Sequence, residues 1–301
     1  MKKLHYFLIF ILFFASNQVD AQNLKPYVLG VVSNNPMEQF KTDMSSNLES
    51  EGLNVVGEYS PADDPDRWVV VISSDELVNA VKKVKGLTGF AATLRVGLIN
   101  ENDTITVSYT NPVYWGNAYF RDDYPQVEQE YKKVSSKLEA AMKKIGKFNG
   151  EVFGSKKGIE VDDLRKYRYM MGMPRFDDPE ELNEFNNYED AISKIEANLK
   201  AGVENVSLVY ALEIPGEKIK LYGFALGGED GESKFVPKID ISDPKHTAFL
   251  PYEMLVVDGN VFMLHGRYRI ALSYPDLKMG TFTKIMSTPG NIEDMLEKVT
   301  E

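Results

Sequence analysis

The chain has 301 residues, no cysteine and a formal net charge of −11. The lack of cysteine excludes disulfides, a thiol nucleophile, thiolate metal sites and iron–sulfur clusters. The acidic balance argues against nucleic acid and anionic lipid headgroups as partners, and no local basic patch of useful size offsets it.

The N-terminus reads as a cleavable export signal. Lys2 and Lys3 form a short positive region, Tyr6 to Ala15 is an unbroken apolar run, and Val19-Asp20-Ala21 is a small-residue cleavage pattern. Ten apolar residues reach about 15 Å, roughly half a bilayer core, so an anchor is the weaker reading. The expected cut lies between Ala21 and Gln22, which predicts a periplasmic or secreted protein with no membrane span. Loss of the segment's net charge of +1 takes the mature chain to −12. The remaining chain of about 280 residues has room for roughly two domains with ordinary cores.

Lys25 to Ser33 reads as a first strand. Asn34-Asn35-Pro36 then starts a helix, an Asn cap followed by Pro at the first turn, whose apolar face is Met37, Phe40, Met44 and Leu48 and which Gly52 ends. Val55 to Tyr59 and Trp68 to Ile72 are strands, the second apolar throughout and so buried on both faces. Ser74-Asp75 caps a helix with Leu77, Val81 and Val84 inward. Phe90 to Ile99 is a strand, and Thr104 to Tyr109 alternates strictly as a half-buried strand does. An aromatic segment follows, read as a loop. Gln126 to Ile145 is a long amphipathic helix, ended by Gly146.

A similar order recurs. Asn187 caps a helix with Tyr188, Ala191, Ile195 and Leu199 inward. Val206 to Glu213, Ile219 to Leu226, Phe249 to Val257 and Val261 to Leu264 are strands, the last two joined by the Asp258-Gly259 hairpin signal. A final helix carries Ile292, Met295, Leu296 and Val299. Met44 to Ile195 and Leu48 to Leu199 are each 151 residues apart, and Phe90 to Phe249 is 159 apart, as one inserted loop would give. In the second copy, Gly227 to Pro244 reads as a polar loop in place of the middle helix. The expected organisation is a signal peptide at 1–21, a first domain at 25–147, a connector at 148–186 and a diverged second domain at 187–301, all of α+β class.

Phe40 through Gly52-Leu53-Asn54-Val55-Val56-Gly57, Gly89-Phe90-Ala91-Ala92-Thr93-Leu94-Arg95-Val96-Gly97-Leu98 and Ser108-Tyr109-Thr110-Asn111-Pro112 together resemble the DUF302 domain family, over roughly residues 27 to 146. The second half resembles it more distantly, with Tyr252-Glu253-Met254 where the first has Thr93-Leu94-Arg95. The resemblance implies, for each copy, a curved antiparallel sheet with helices on one face and a C-terminal amphipathic helix. It also implies dimer-like pairing, either between the two copies of one chain as a pseudo-dimer or in a homodimer. It carries no catalytic residues.

The candidate ligand-binding residues are Arg95, Tyr109, Asn111, Tyr114 and Trp115. Aromatic faces beside an amide and a guanidinium suit a small anionic or sugar-like ligand, and the competing reading is a segment folded down over the core or the other domain. The connector supplies a second candidate surface in Tyr167, Tyr169, Met170, Met171 and Met173. Thioethers suit Cu(I), but no His or Cys stands nearby, so gap-filling between domains is preferred and no metal or cofactor is expected. His246 and His265 lack metal-ligand spacing, and Gly227-Gly228-Glu229-Asp230-Gly231 lacks the ending of a phosphate loop. Asp177-Asp178 and Glu180-Glu181 read as the acidic start of a helix. No catalytic set is found, and three functions remain in view: a non-enzymatic small-molecule binding module, a structural or cell-envelope interaction protein, or a hydrolase with an unrecognised carboxylate pair.

Overall fold

The computed structural model describes residues 23–301. The segment read as an export signal, with the expected cut, lies outside them. Among the described residues no helix is long and apolar enough to cross a membrane.

The first half runs β1 (Tyr27–Ser33), α1 (Met37–Ser50), β2 (Asn54–Tyr59), β3 (Arg67–Ser73), α2 (Asp75–Val84), a 3-10 segment at Gly86–Ala92, β4 (Leu94–Glu101), β5 (Thr104–Thr110), α3 (Pro112–Phe120) and α4 (Glu128–Ile145). A connecting stretch holds β6 (Val152–Phe153) and α5 (Val161–Arg165). The second half runs β7 (Glu180–Glu184), α6 (Tyr188–Ala201), β8 (Val206–Glu213), β9 (Ile219–Leu226), α7 (Glu232–Ile239), a 3-10 turn at Thr247–Phe249, β10 (Tyr252–Val257), β11 (Asn260–Met263), α8 (Gly266–Ser273), α9 (Met279–Phe282) and α10 (Thr288–Thr300). The fold is α+β, with two antiparallel sheets.

The sheet orders are β2-β3-β4-β5-β1-β6 and β7-β11-β10-β9-β8. Read from β8, the second sheet has the order of the first without β6. The irregularities coincide as well. Both β2 and β8 carry a bulge against the next strand, at Val55/Gly57 and Leu208/Tyr210, and both the β1–β5 and β7–β11 ladders are shifted by one residue.

Four expectations need correction. The aromatic segment after Tyr109 is helix α3: Asn111 accepts from the Val113 N–H and Pro112 opens the first turn. It shows no apolar stripe because nearly every face of it is buried. The stretch read as a polar loop holds α7, which buries Phe235, Val236 and Ile239 despite Pro237 inside it. The second half begins before Asn187, with β7, whose acids looked like a helix start. Only Leu182 is buried there, as suits a charged edge strand. Finally, Asn34 and Asn35 do not cap α1, whose cap position is Pro36 without a side-chain bond.

In the first half α1, α2 and α4 cover one face of the sheet and bury Phe40, Met44, Leu48, Leu77, Val81, Val134, Leu138 and Met142. The other face meets the second half. A Cβ on Gly97 would lie 2.7 Å from the Ala248 backbone N, and one on Gly57 would lie 2.5 Å from the Val209 carbonyl O. In turn, a Cβ on Gly89 would meet Leu255 at 2.5 Å, so the 3-10 segment preceding β4 packs on the second sheet while the one preceding β10 packs on the first. The contact is reciprocal in detail. Tyr114, third residue of α3, donates to the carbonyl of Leu272, seventh residue of α8, at 2.9 Å. Tyr268, third residue of α8, donates to the carbonyl of Ala118, seventh residue of α3, at 3.5 Å. This is the pattern of a two-fold interface, made within one chain.

Candidate functional site

Two regions of the molecule carry buried polar chemistry. The first is the contact between the halves. Arg95 leaves β4 on the face opposite Leu94 and Val96, is 1% exposed, and pairs with Glu253 of β10. Burial by itself would lower the Arg95 guanidinium, but the carboxylate beside it raises it above its ordinary value. Glu253 also accepts from the hydroxyls of Tyr210 and Thr93, and Arg269 of α8 stands 3.9 Å from its second oxygen. Arg269 lies over the Trp115 ring at 5.0 Å and donates to the Phe249 carbonyl. Nearby, Arg67 donates to Asp240 at 2.5 Å and to Thr247 Oγ1, again across the halves. Glu232, at the start of α7, accepts from Tyr59 Oη, Ala62 N and Leu226 N. Among the described residues no cation pairs with it, and burial pushes its carboxyl up to about 7.

This region takes up the predicted ligand residues. The indole N–H of Trp115 donates to the Pro26 carbonyl and Asn111 donates to that of Lys25. Tyr114 is bonded to Leu272, and Arg95 to Glu253. Tyr109 is buried, and burial raises its hydroxyl above the ordinary phenol value. All five are thus buried among protein groups, and four have their polar ends engaged by them. Sequence reasoning missed the partners Glu253 and Arg269, and with them the neighbouring Arg67–Asp240 pair and Glu232. A usable signal existed: Glu253 interrupts the apolar run Tyr252 to Val257 just as Arg95 interrupts Leu94 to Ile99. A lone charge in a buried strand must find a partner of opposite sign.

The second region is a cleft of about 840 Å³ between the connecting stretch and the second half. One wall is the run Glu151 to Lys156, which includes β6. The opposite wall comes from the segment between α7 and the 3-10 turn and from the chain after α8. Asp276 closes the walls together by accepting from Lys156 N at 2.6 Å and from Ser155 Oγ. His246 lies in the loop before the 3-10 turn, yet is 4% exposed and lines this cleft. Its ring lies between Tyr27 and Tyr274, with centroids at 4.8 and 4.6 Å, so only an edge is left to reach a ligand. Burial holds the imidazole below its ordinary value, hence neutral at neutral pH. Nδ1 lies 3.0 Å from the Ser273 carbonyl, an acceptor, which assigns the proton to Nδ1 and leaves Nε2 as an acceptor. The charged lining is balanced: Lys25, Lys156 and Lys278 against Glu151, Asp243 and Asp276.

In the connector, Tyr167 and Tyr169 donate to the carbonyls of Ala271 and Leu277, so both tie it to the second half. Tyr169, Met170 and Met173 border a small apolar hollow of about 40 Å³, while Met171 is 89% exposed. His265 caps α8 through Nδ1 and stands 3.1 Å from Glu180. Among the described residues no cluster of His, Cys, Asp or Glu could hold a metal ion.

Comparison with protein-family models finds no match, and comparison with curated proteins finds none either. Among solved structures, the chain is similar to the crystal structure of an uncharacterized conserved protein DUF302 from Bacillus stearothermophilus, at 16% identity and a TM-score of 0.32, over 38% of this chain and 93% of that one.

Proposed function

We propose that this is an exported, non-enzymatic protein, periplasmic or secreted, that binds a small molecule in the cleft between β6 and the second half. The cleft carries the reading. Its volume lies within the range of small-molecule sites, roughly 300–1,000 Å³. Its lining combines an apolar part with a few fixed polar groups, among them an imidazole held in one tautomer. The five residues first considered as a ligand site then have a different role, holding the halves in register. In this reading the chain is a diverged tandem pair of DUF302-like domains forming an intramolecular pseudo-dimer, which the matching strand orders and bulges support.

The test is a melting-shift screen of the purified chain against a metabolite library, with native mass spectrometry for co-purified ligand. A hit whose shift disappears in Ile241→Arg, a change at a 65% exposed cleft residue, supports the site. A shift that survives in that variant places the ligand elsewhere and overturns the reading. Export is tested by fractionation and N-terminal sequencing, with Gln22 as the expected first residue.

A second reading, an envelope interaction protein, draws on one observation. Met170, Met171, Met279 and Met286 are exposed, and the first and third of these border the small hollow. Adaptable thioethers suit a partner surface. Cross-linking in intact cells that captures a defined partner through position 171 supports it.

A further inference from the structure

The cleft wall formed by β6 is a sheet edge, and its hydrogen-bond register fixes which groups face outward. β6 pairs with β1 in the register Tyr27↔Phe153 and Val28↔Val152. The Leu29 N–H donates to the Glu151 carbonyl at 2.8 Å. In an antiparallel ladder that bond makes Val28↔Val152 a non-hydrogen-bonded pair. The Glu151 carbonyl and the main-chain groups of Phe153 are therefore turned toward β1, the Glu151 N–H is taken by Asn149 Oδ1, and Val152 turns its N–H and C=O the other way. Among the described residues β6 ends the sheet order, so no strand receives them. The Val152 side chain is 37% exposed and Glu151 to Lys156 all line the cleft.

An outward donor–acceptor pair on an edge strand is the template for a further strand. Most edges are blunted by charge, bulge or cover, and this one instead borders a cleft of ligand size. The charges around it are of both signs in equal number, which fits an occupant carrying an ammonium and a carboxylate. Nε2 of His246 supplies one more acceptor for an N–H or O–H.

We propose that the cleft binds a short extended peptide with free ends, which lies along the outer edge of β6 as an added strand and exchanges main-chain hydrogen bonds with Val152. About four residues, roughly 13 Å of strand, match the wall. The proposal rests on the reading of the cleft as the ligand site and names the class of ligand.

The experiment incubates the purified chain with a randomised library of free-terminus tetrapeptides and reads retention by native mass spectrometry. The retained sequence is then resynthesised with its amides N-methylated at alternate positions, once in each register. Added-strand binding predicts that one register loses at least tenfold in affinity and the other little, because only alternate amides face β6. It also predicts slowed hydrogen exchange at the Val152 amide in the complex. Val152→Pro should weaken binding to a similar extent while keeping the β1 pairing, since that N–H is not in the ladder. The N-methylated peptides do not depend on how this variant folds. Equal tolerance of both methylation registers, or no change at Val152, overturns the added strand. If no peptide is retained but a non-peptide metabolite gives a shift abolished by Ile241→Arg, the cleft remains a ligand site and the peptide is excluded. If neither binds, both readings fall.

Discussion

The two halves of the chain meet through unlike residues at equivalent places. Trp115 and Arg269 are the fourth residues of α3 and α8, equivalent places that face each other, yet one is an indole and the other a guanidinium. Arg95 on one sheet meets Glu253 on the other, and Tyr59 of β2 meets Glu232 of α7. A homodimer would have to place the same residue at both equivalent positions. Two halves of one chain are free of that constraint, so pairs of unlike residues can stand where a homodimer would need self-complementary contacts. What stays alike is the backbone-directed contact, in which Tyr114 and Tyr268 each reach a carbonyl in the other's helix.

The comparison breaks most sharply at Glu253. Glu253→Ala leaves Arg95 and Arg269 buried without their counter-charge, and the expected loss is about 3–5 kcal/mol in urea unfolding. A loss below about 1 kcal/mol would mean that water reaches the contact and screens it.

Glu232 gives the next largest effect, through pH. Below the unfolded carboxyl value of 4.5, both states hold the proton and there is no penalty. Between 4.5 and about 7 the unfolded chain ionises while the folded protein keeps its proton, so stability falls as pH rises and levels off above about 7. The full drop is about 3 kcal/mol. Asp63 adds to the penalty by like-charge repulsion. Glu232→Gln should flatten this window in urea titrations between pH 5 and 8. An unchanged slope would assign the pH dependence to other groups.

Gly97→Ala should cost about 1–3 kcal/mol, because its Cβ meets backbone of the other half at 2.7 Å and backbone yields less readily than a side chain. A smaller cost would show that the halves can separate slightly without loss. The smallest effect sharpens the comparison. Tyr114→Phe should cost about 1 kcal/mol and Tyr268→Phe less, since only the first of the two reciprocal bonds is short. Equal costs in thermal unfolding would mean that the pairing is more symmetric than the distances indicate.

The regular elements were legible because their periodicity was. The strands at Val206 to Glu213 and Ile219 to Leu226 appear as read, and Ser74 and Asn187 cap their helices through side-chain oxygens. Helix α3 was missed because an all-round apolar helix has no stripe, and β7 because an edge strand with one buried residue looks like a solvated turn. The cleft was not legible at all. Its residues come from β6, from the segment after α7 and from the chain after α8, which only tertiary packing brings together. His246 shows the difficulty plainly. Its neighbours Pro244, Lys245 and Thr247 look like loop, and its burial comes from Tyr27, more than two hundred positions earlier.

The reciprocal contact inside one chain also has a consequence for dilution. A dimer of separate copies comes apart as its concentration falls, but here each half meets its partner at an effective concentration set by the connector, on the order of millimolar for a short flexible tether. The connector is also docked, with Tyr167 and Tyr169 bonded to the second half. The pairing therefore persists however few molecules share a volume, and the unfolding midpoint should not move with protein concentration.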